Sequence, residues 1–339
     1  MDKPLIQSSW TQKDQTLELQ LRPQAFGEFI GQKKVIDNLD VFVGAAKQRQ
    51  EPPGHILFHG PPGLGKTTLA SIIAKETGST LIATSGPSIE KPADLAGILT
   101  NLEEGGVLFI DEIHRLNRSI EEYLYPSMED FKLDLLLDNG PQARAVEVKL
   151  NRFTLVGATT RMGMLTAPLR SRFAFTCRLD YYDHSLIGDI LKRSASILSI
   201  AIHSESIEEI AKRSRGTPRI ANNLLRWVRD YAQMRTQNRL DNMATRTALE
   251  MLDIDYLGLD HMDKRLLELI IDHHNGGPVG INTLAAALSE EASTLEEVHE
   301  PFLIMQGLLR RTPRGREATE RAYHHLGRNF QPTTDGVNS

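Results

Sequence analysis

A glycine-rich loop from Gly60 to Thr67 constrains the fold of this chain more than any other segment. Its sequence, Gly-Pro-Pro-Gly-Leu-Gly-Lys-Thr, matches G-x-x-x-x-G-K-[ST] at every fixed position and lies between an apolar run and a helical segment. Glycines allow such a loop to fold back, so that its N–H groups and the N-terminus of the next helix face a phosphate. The segment predicts a strand, a phosphate-binding loop and a helix; a simple glycine-rich turn is the alternative.

The side chains of this loop suit a nucleoside triphosphate. We expect Lys66 to reach the β and γ phosphates, Thr67 to ligate Mg²⁺ and Thr68 to help hold the α and β phosphates. Gly63 and Gly65 leave room for the backbone to approach these groups. The predicted cofactors are therefore ATP and Mg²⁺.

An acidic pair follows a second apolar run, Val107 to Ile110. A buried strand here would deliver Asp111 to the magnesium ion and Glu112 to the attacking water as general base. An acidic pair at the end of a strand also arises by chance. Together with the phosphate loop, however, Glu112 favours ATP hydrolysis over nucleotide binding alone.

Further polar residues along the chain have side chains that could serve phosphoryl transfer. Thr160 ends another apolar run and could position the water or read the γ phosphate, or it could simply cap a strand. Arg170 and Arg172 could meet the nucleotide of an adjacent subunit, where an extra cation stabilises the transition state; solvated surface arginines are the alternative. Arg219 opens a helix and could fold over the phosphates.

The hydrophobic pattern predicts an α/β fold with a parallel sheet, followed by helices. Short apolar runs alternate with amphipathic segments up to about residue 180, and the segments 132–137 and 144–150 read as an inserted β-hairpin. The final unit has three helical segments and a short hairpin with a basic tip, which is typical of a winged helix. The predicted domains are a flexible arm (1–20), a large ATPase domain (21–182), a small helical lid domain (183–254) and a winged-helix head domain (255–339).

Composition limits the setting more than the partner. The net charge of −5, from 39 basic and 44 acidic residues in 339, neither supports nor excludes nucleic acid. Arg310, Arg311, Arg314 and Arg316 nevertheless crowd one short hairpin. The single cysteine, Cys177, permits no internal disulfide and favours a reducing compartment. With no signal-peptide core or long apolar run, we expect a cytoplasmic protein without a membrane partner.

These motifs in this order resemble those of the AAA+ ATPases. The amino-acid sequences of the segments are similar to those of the RuvB family, the bacterial motors of Holliday-junction branch migration. The resemblance covers nearly the whole chain. It rests on Leu21-Arg22-Pro23, Gly31-Gln32, Gly60 to Thr67, Thr84 to Pro87, Asp111 to Arg115, Tyr125-Pro126, Met128 to Asp130, Gly157 to Arg161, Arg215 to Ile220, Gly276 to Gly280 and Arg311 to Arg316.

The resemblance implies a role for each matching residue in nucleotide binding. Leu21, Arg22 and Tyr182 would line the adenosine pocket, and Glu129, Asp130 and Phe131 would lie beside the nucleotide. Thr160 would be the first sensor and Arg219 the second. Arg172 would be the arginine finger that acts on the neighbouring subunit, with Arg170 as second choice.

The resemblance also implies the partners. The chain would form a homohexameric ring on double-stranded DNA at a four-way junction during recombination and repair. Arg311, Arg314 and Arg316 would touch DNA phosphates, with Arg311 and Arg316 as the first choices. Val146 and Val148 would dock the partner protein RuvA.

Some positions depart from the family's pattern. Ala292 stands where an arginine is expected, which removes one phosphate contact, and Ser171 and Ala174 replace Asp and Gly around the finger. Two other AAA+ functions remain as alternatives. A clamp-loader-like switch would bind DNA without processive movement, and a protein-remodelling enzyme would need an aromatic pore loop, for which we find no convincing candidate.

Overall fold

The structure, a computed structural model, describes residues 19–136 and 145–330. These residues belong to two units. The first comprises the described part of Met1–Ser199 together with Thr217–Arg219, and the second comprises Ile200–Gly216 and the described part of Ile220–Ser339. Most of the predicted N-terminal arm and the predicted hairpin turn, Asp138 to Pro141, lie outside the described residues.

A five-stranded parallel sheet forms the core of the first unit, as the hydrophobic pattern predicts. Its strand order is β2-β3-β6-β1-β7, and every pairing in it is parallel. All residues of β6 and the four apolar residues of β3 are buried. The strands of this unit are β1 (Ile56–His59), β2 (Leu81–Ser85), β3 (Val107–Asp111), β4 (Lys132–Leu136), β5 (Ala145–Lys149), β6 (Thr154–Thr159) and β7 (Phe175–Arg178).

Helices pack on the sheet. Leu95, Leu99, Ile120 and Leu124 form one buried cluster with residues of β1, β3 and β6, and the helix that follows the phosphate loop lies against β3 and β6. Because both faces of a parallel sheet are covered, its strands read as continuous apolar runs. The helices of this unit are Lys33–Gln48, Lys66–Thr77, Pro92–Thr100, Arg118–Glu129, Ala167–Ser171 and His184–Ile197.

The predicted hairpin is present as strands β4 and β5, which pair antiparallel from Lys132 opposite Lys149 onward. Its two valines differ in environment. Val146 is 41% exposed, whereas Val148 is half-buried and packs against the core of the first unit.

The second unit begins with helices and ends in a winged helix, in agreement with the predicted fold class. Its helices are Ser204–Arg213, Pro218–Arg235 (apart from its first two residues), Asn242–Glu250, His261–Glu268, Ile281–Leu288, Ala292–Thr294, Glu300–Met305 and Glu320–His325. Leu269–His273 and Leu295–His299 are π-helical turns. The wing is the hairpin of β8 (Leu309–Thr312) and β9 (Gly315–Ala318), with Val279 bridged to Arg316.

Among the described helices, none combines the length and the apolar character that crossing a membrane requires.

His55 fastens the start of β1 to two other elements. Its ring is 7% exposed, Nδ1 accepts the N–H of Leu155 at 2.9 Å, and Nε2 donates to the carbonyl of Met128 at 2.9 Å. This arrangement requires the neutral imidazole, because a proton on Nδ1 would face the N–H of Leu155. Burial lowers the pKa of His55, and the bond to Met128 offsets only part of that shift.

Replacing His55 should therefore remove part of the acid sensitivity of the fold. Below the unfolded pKa of about 6.5 the unfolded chain binds a proton that folded His55 resists, so unfolding becomes easier as pH falls. Between pH 7.5 and 5.5, wild type should lose about 1 kcal/mol more free energy of unfolding than His55→Gln. Urea unfolding followed by circular dichroism measures this difference. The exposed His203→Gln chain is the matched control, and an equal loss in His55→Gln and wild type would contradict the prediction.

Candidate nucleotide-binding and hydrolysis site

Four neighbouring strands end at one edge of the parallel sheet. His59 of β1 lies opposite Thr159 of β6, and Ser85 of β2 lies opposite Asp111 of β3. Since β6 lies between β1 and β3, the phosphate loop, the acidic pair and the Thr159-Thr160 segment follow adjacent strands. The sheet therefore gathers at its carboxyl edge the residues that the sequence predicts to act together.

The phosphate loop depends on glycines at fixed points. Gly60, Gly63 and Gly65 have φ of 136°, 78° and 105°, in the region that favours glycine. A Cβ atom at Gly60 would lie 2.3 Å from the carbonyl oxygen of Leu179. Gly65 is the N-cap of helix Lys66–Thr77, so the free N–H groups of that helix start at the loop.

Lys66 lies inside the loop and is only 7% exposed. Its ammonium donates to the carbonyl oxygens of Gly60 and Pro61 at 2.8 and 2.7 Å. Burial lowers the pKa of Lys66 to about 8, although Asp111 raises it in part. The ammonium is thus a desolvated cation close to the acidic pair. A phosphate group and its metal counter-ion would fit between these opposite charges. Thr67 and Thr68, the next two residues, are half-buried.

The acidic pair turns sharply at the end of β3. The backbone N–H of Glu112 donates to Asp111 Oδ1 at 2.9 Å, and Glu112 has a φ of 47°. A left-handed conformation is strained for a non-glycine residue. A Cβ atom at Gly86 would lie 2.5 Å from the Glu112 carbonyl oxygen, so this turn is also tightly packed. The Glu112 carboxylate is 40% exposed and accepts a hydrogen bond from Arg115 at 2.9 Å.

Sequence reasoning missed one polar pair at this edge. Thr159 is 1% exposed, and its hydroxyl lies 2.9 Å from Nδ1 of His114, which directly follows the Asp111-Glu112-Ile113 segment. The same hydroxyl accepts the N–H of Arg161 at 2.9 Å. Thr160, chosen from the sequence, is half-buried one residue further on. The sequence shows only two adjacent threonines, and the register of β6, which pairs Thr159 with His59, is what distinguishes them.

The predicted adenosine pocket has a buried framework. Tyr182 is 6% exposed, donates its hydroxyl to the carbonyl of Leu64 at 3.2 Å and packs so closely on Gly31 that a Cβ there would lie 2.5 Å from its ring. Burial raises the pKa of Tyr182, so it stays a neutral donor. Leu21 is 4% exposed, and Arg22 is half-buried.

The segment Thr217–Arg219, which belongs to the first unit, touches the phosphate loop. A Cβ at Gly63 would lie 2.7 Å from the Thr217 methyl group and 3.1 Å from Cβ of Arg219. The Arg219 charge also lowers the pKa of Lys66, after the larger effects of burial and of Asp111. Arg219 is therefore near the loop, as its predicted role requires.

Arg172 folds back onto its own chain. Its guanidinium donates to Glu129 Oε2 at 3.1 Å and to the carbonyl of Pro168 at 2.8 Å, and lies 4.4 Å from the centre of the Tyr125 ring. This brings together two predicted residues, Arg172 and Glu129, as an ion pair. Arg170 is exposed.

Two other residues that the resemblance puts beside the nucleotide follow Glu129. Asp130 is exposed, whereas Phe131 is half-buried and packs edge-on against Phe153, with ring centres 5.8 Å apart. The ring of Phe131 therefore contributes to the core of the first unit.

The wing arginines of the second unit have different environments. Arg311 and Arg314 are exposed, and Arg311 donates to Glu296 at 3.2 Å. Arg316 departs from the expectation of a surface contact, because it is 7% exposed and its guanidinium binds Glu300 and, at 2.8 Å, Glu296. Ala292 is half-buried against the core of the same unit.

Family models match consecutive parts of the chain. They are described as the Holliday junction DNA helicase RuvB P-loop domain (residues 21–179), the RuvB AAA lid domain (residues 182–255) and the RuvB C-terminal winged helix domain (residues 256–327).

Individual relatives agree with these matches. The chain is 61% identical over 326 residues to the Holliday junction branch migration complex subunit RuvB of Protochlamydia amoebophila. The matched region covers 96% of this chain and 98% of the relative. The subunit of the same description from Flavobacterium johnsoniae is 57% identical over 312 residues, with 92% of each chain covered. The solved structure of the Thermotoga maritima RuvB Holliday junction branch migration motor is 49% identical, with a TM-score of 0.85 over 92% of this chain and all of that one.

Proposed function

The chain belongs to the RuvB family, and from this premise we propose that it is the ATP-driven motor subunit of Holliday-junction branch migration in homologous recombination and DNA repair. The observation that carries the proposal is that the resemblance extends from the phosphate loop through the lid to the winged helix. A clamp-loader-like switch would share the ATPase site. However, the relatives named above are described as branch-migration proteins, and this chain matches nearly their whole length.

ATP hydrolysis is the chemistry for which the sheet edge is suited, and the chain is an AAA+ P-loop ATPase. We assign Glu112 as the general base, since its half-exposed carboxylate projects from a strained turn beside the loop. To accept a proton from water, it must exchange its ion pair with Arg115 for the water molecule. Lys66 would leave the carbonyls of Gly60 and Pro61 for the β and γ phosphates, and Thr160 would read the γ phosphate.

Mg²⁺ fits the oxygen donors at this edge. The Asp111 carboxylate and the Thr67 hydroxyl are both partly accessible, and hard oxygen ligands of this kind are those that Mg²⁺ prefers. When bound, the ion would neutralise charge on the phosphates. Asp111 also helps to keep Lys66 charged, because its carboxylate raises the pKa of that ammonium.

We propose that Arg172 completes the site of a neighbouring subunit in a homohexameric ring, with Arg170 as second choice. A cation at the transferring phosphoryl group is worth about 10³ to 10⁵ in kcat. In the single chain Glu129 and Tyr125 hold Arg172 on its own subunit. Insertion into a neighbour's site would exchange these contacts for the triphosphate, so hydrolysis would depend on assembly.

The wing would contact DNA mainly through phosphates, which makes binding tolerant of sequence and sensitive to salt. Arg311 and Arg314 are exposed and supply this contact. Arg316 would have to leave the buried Glu300 to reach DNA, so we give it the role of holding the wing in place. The half-buried Ala292 leaves the head with one cation fewer than the family's pattern.

We further propose that hairpin β4–β5 docks RuvA and that the complex acts in the cytoplasm. Val146, which is 41% exposed, offers an apolar contact. Val148 instead packs against the core of the first unit and stabilises the hairpin there. The motor, lid and head domains would span 21–182, 183–254 and 255–339.

A four-way-junction dissociation assay tests the proposed function. With ATP, Mg²⁺ and RuvA, the wild-type chain should convert synthetic junctions into duplex products over many base pairs. Lys66→Ala should lose nucleotide binding, whereas Glu112→Gln should bind ATP normally and lose turnover and dissociation together. Release of DNA after one round of hydrolysis, without branch movement, would favour the clamp-loader alternative.

Mixed rings test whether Arg172 acts in trans. Arg172→Ala alone should lower kcat about 10³-fold or more. In equal mixtures with Glu112→Gln, about a quarter of the interfaces would combine two intact halves, so the ATPase rate should rise well above that of either variant. Arg170→Ala is the matched control for the choice of arginine. No recovery in the Arg172→Ala mixture would remove the assignment.

The wing arginines should separate by salt dependence. Arg311→Ala and Arg314→Ala should each weaken duplex binding and reduce the slope of log affinity against log salt by about 1. Arg316→Gln should instead destabilise the fold by about 3 kcal/mol, because Glu300 is left buried without its partner. Fluorescence anisotropy at several KCl concentrations and urea unfolding give the two readouts. A reduced slope in a fully stable Arg316→Gln chain would assign that residue a direct DNA contact.

A further inference from the structure

A buried ion-pair cluster joins the lid helices to the winged helix within the second unit. Arg215, two residues after the end of the lid helix Ser204–Arg213, donates through Nη2 to Asp260 at 2.8 Å and to Asp263 at 2.6 Å. Its Nε donates to the carbonyl of Gly258 at 2.9 Å, and its guanidinium lies 4.8 Å from the centre of the Phe302 ring. One lid side chain thereby contacts separate parts of the head.

Most of the cluster is shielded from solvent, although the Asp260 side chain is 36% exposed. Arg215 is 10% exposed, Asp263 is fully buried and His299 is 9% exposed. Nδ1 of His299 lies 2.7 Å from the second oxygen of Asp263, so this carboxylate is bound from both sides. Burial alone would lower the pKa of His299, but the Asp263 carboxylate raises it above its usual value. We call Arg215, Asp260, Asp263 and His299 the lid-head clamp.

Hydrogen bonds that do not involve Arg215 already position the two carboxylates of the clamp. Asp260 caps the helix His261–Glu268, and Asp263 returns the bond to the N–H of Asp260, which forms a reciprocal capping box. Two carboxylates and a histidine this close could also attract a metal ion. Here, however, the guanidinium fork already donates to both carboxylates, so a metal ion would have to displace it.

The clamp starts two residues before the segment that meets the phosphate loop. Only Gly216 separates Arg215 from Thr217–Arg219, which belongs to the first unit and packs on Gly63. Arg215 and Gly216 both have positive φ, of 56° and 62°, so the chain turns sharply here. The backbone therefore connects the segment that packs on the phosphate loop directly to the residue that binds the head.

We propose that Arg215 is the positioning residue that locks the lid to the head, so that the two move as one rigid body during the ATP cycle. A displacement of Thr217–Arg219 then reaches the wing without being lost in a flexible joint. Arg215 touches no reacting atom; it acts through Asp260 and Asp263. This inference rests on the proposed function for its purpose, but the rigidity of the joint can be measured separately.

The first experiment measures the joint itself in the full chain. Spin labels at Met234→Cys in the lid and Glu320→Cys in the head occupy exposed sites, and the native Cys177 is buried. Pulsed electron resonance should give one narrow distance distribution that is the same with ADP and with a non-hydrolysable ATP analogue. Arg215→Lys, which loses the fork geometry, should broaden it. A shift of about 5 Å or more between nucleotides in the otherwise wild-type chain would overturn the clamp.

The second experiment measures what the clamp transmits. Arg215→Lys should keep DNA-stimulated ATP hydrolysis within about twofold of wild type. The coupling ratio, which is the number of base pairs migrated per ATP hydrolysed, should fall about tenfold. Arg213→Lys is the matched control, since Arg213 is equally buried but pairs with Glu209 inside the lid. Its coupling ratio should stay at the wild-type value. An Arg215→Lys chain whose migration and hydrolysis fall in proportion would overturn the proposal.

A further variant guards against simple unfolding. Asp260→Asn keeps a good N-cap residue but removes one carboxylate of the clamp, so it should also lower the coupling ratio. If Arg215→Lys does not fold, Asp260→Asn decides, and an unchanged ratio in a folded Asp260→Asn chain would overturn the proposal. A wild-type chain that hydrolyses ATP on junction DNA without moving it would refute the proposed function instead, and the distance measurement would still decide the clamp.

Discussion

The common carboxyl edge of the parallel sheet is the constraint on which the rest of the structure depends. Strands β1, β6 and β3 lie side by side in register, so the phosphate loop, Thr159 and Asp111 must emerge next to one another. No single residue of the site creates this proximity. It follows from buried strands whose apolar side chains cover both faces of the sheet, and His55 fastens the start of β1 at the opposite edge.

The sequence was most informative where one residue type is the only one that fits. Gly60 and Gly65 have positive φ and little space for a side chain, so these glycines, together with Lys66 and Thr67, made the loop predictable. The strand Val107–Asp111 was equally clear, because four apolar residues followed by a carboxylate match a buried strand that ends at a polar edge. The wing hairpin is also present where the sequence predicts a short hairpin with a basic tip.

Sequence was least informative about which partner a charged side chain selects. Arg311 and Arg316 look equivalent in the printed sequence, yet one is exposed and the other lies against Glu300, which is 2% exposed. Residues 300 and 316 meet only because the helix Glu300–Met305 packs behind the wing, and no local pattern encodes that contact. The same holds for Arg215, whose partners lie some 45 residues away in the chain. The two valines of hairpin β4–β5 likewise differ in exposure through packing.

The ion pairs of Arg172 and Arg215 differ in burial, and this difference determines how easily each pair can separate. The Arg172–Glu129 pair leaves 19% and 56% of the two side chains exposed, and pairs open to water contribute only about 0.2 to 1 kcal/mol. Such a contact would break at little cost if a neighbouring triphosphate offered a stronger one, as the proposed role of Arg172 requires. Arg215 and Asp263 are 10% and 0% exposed, and separating a buried pair leaves charges that water cannot reach. The proposed ring motor would need both kinds of contact, because its arginine finger would have to release while the link between lid and head would not.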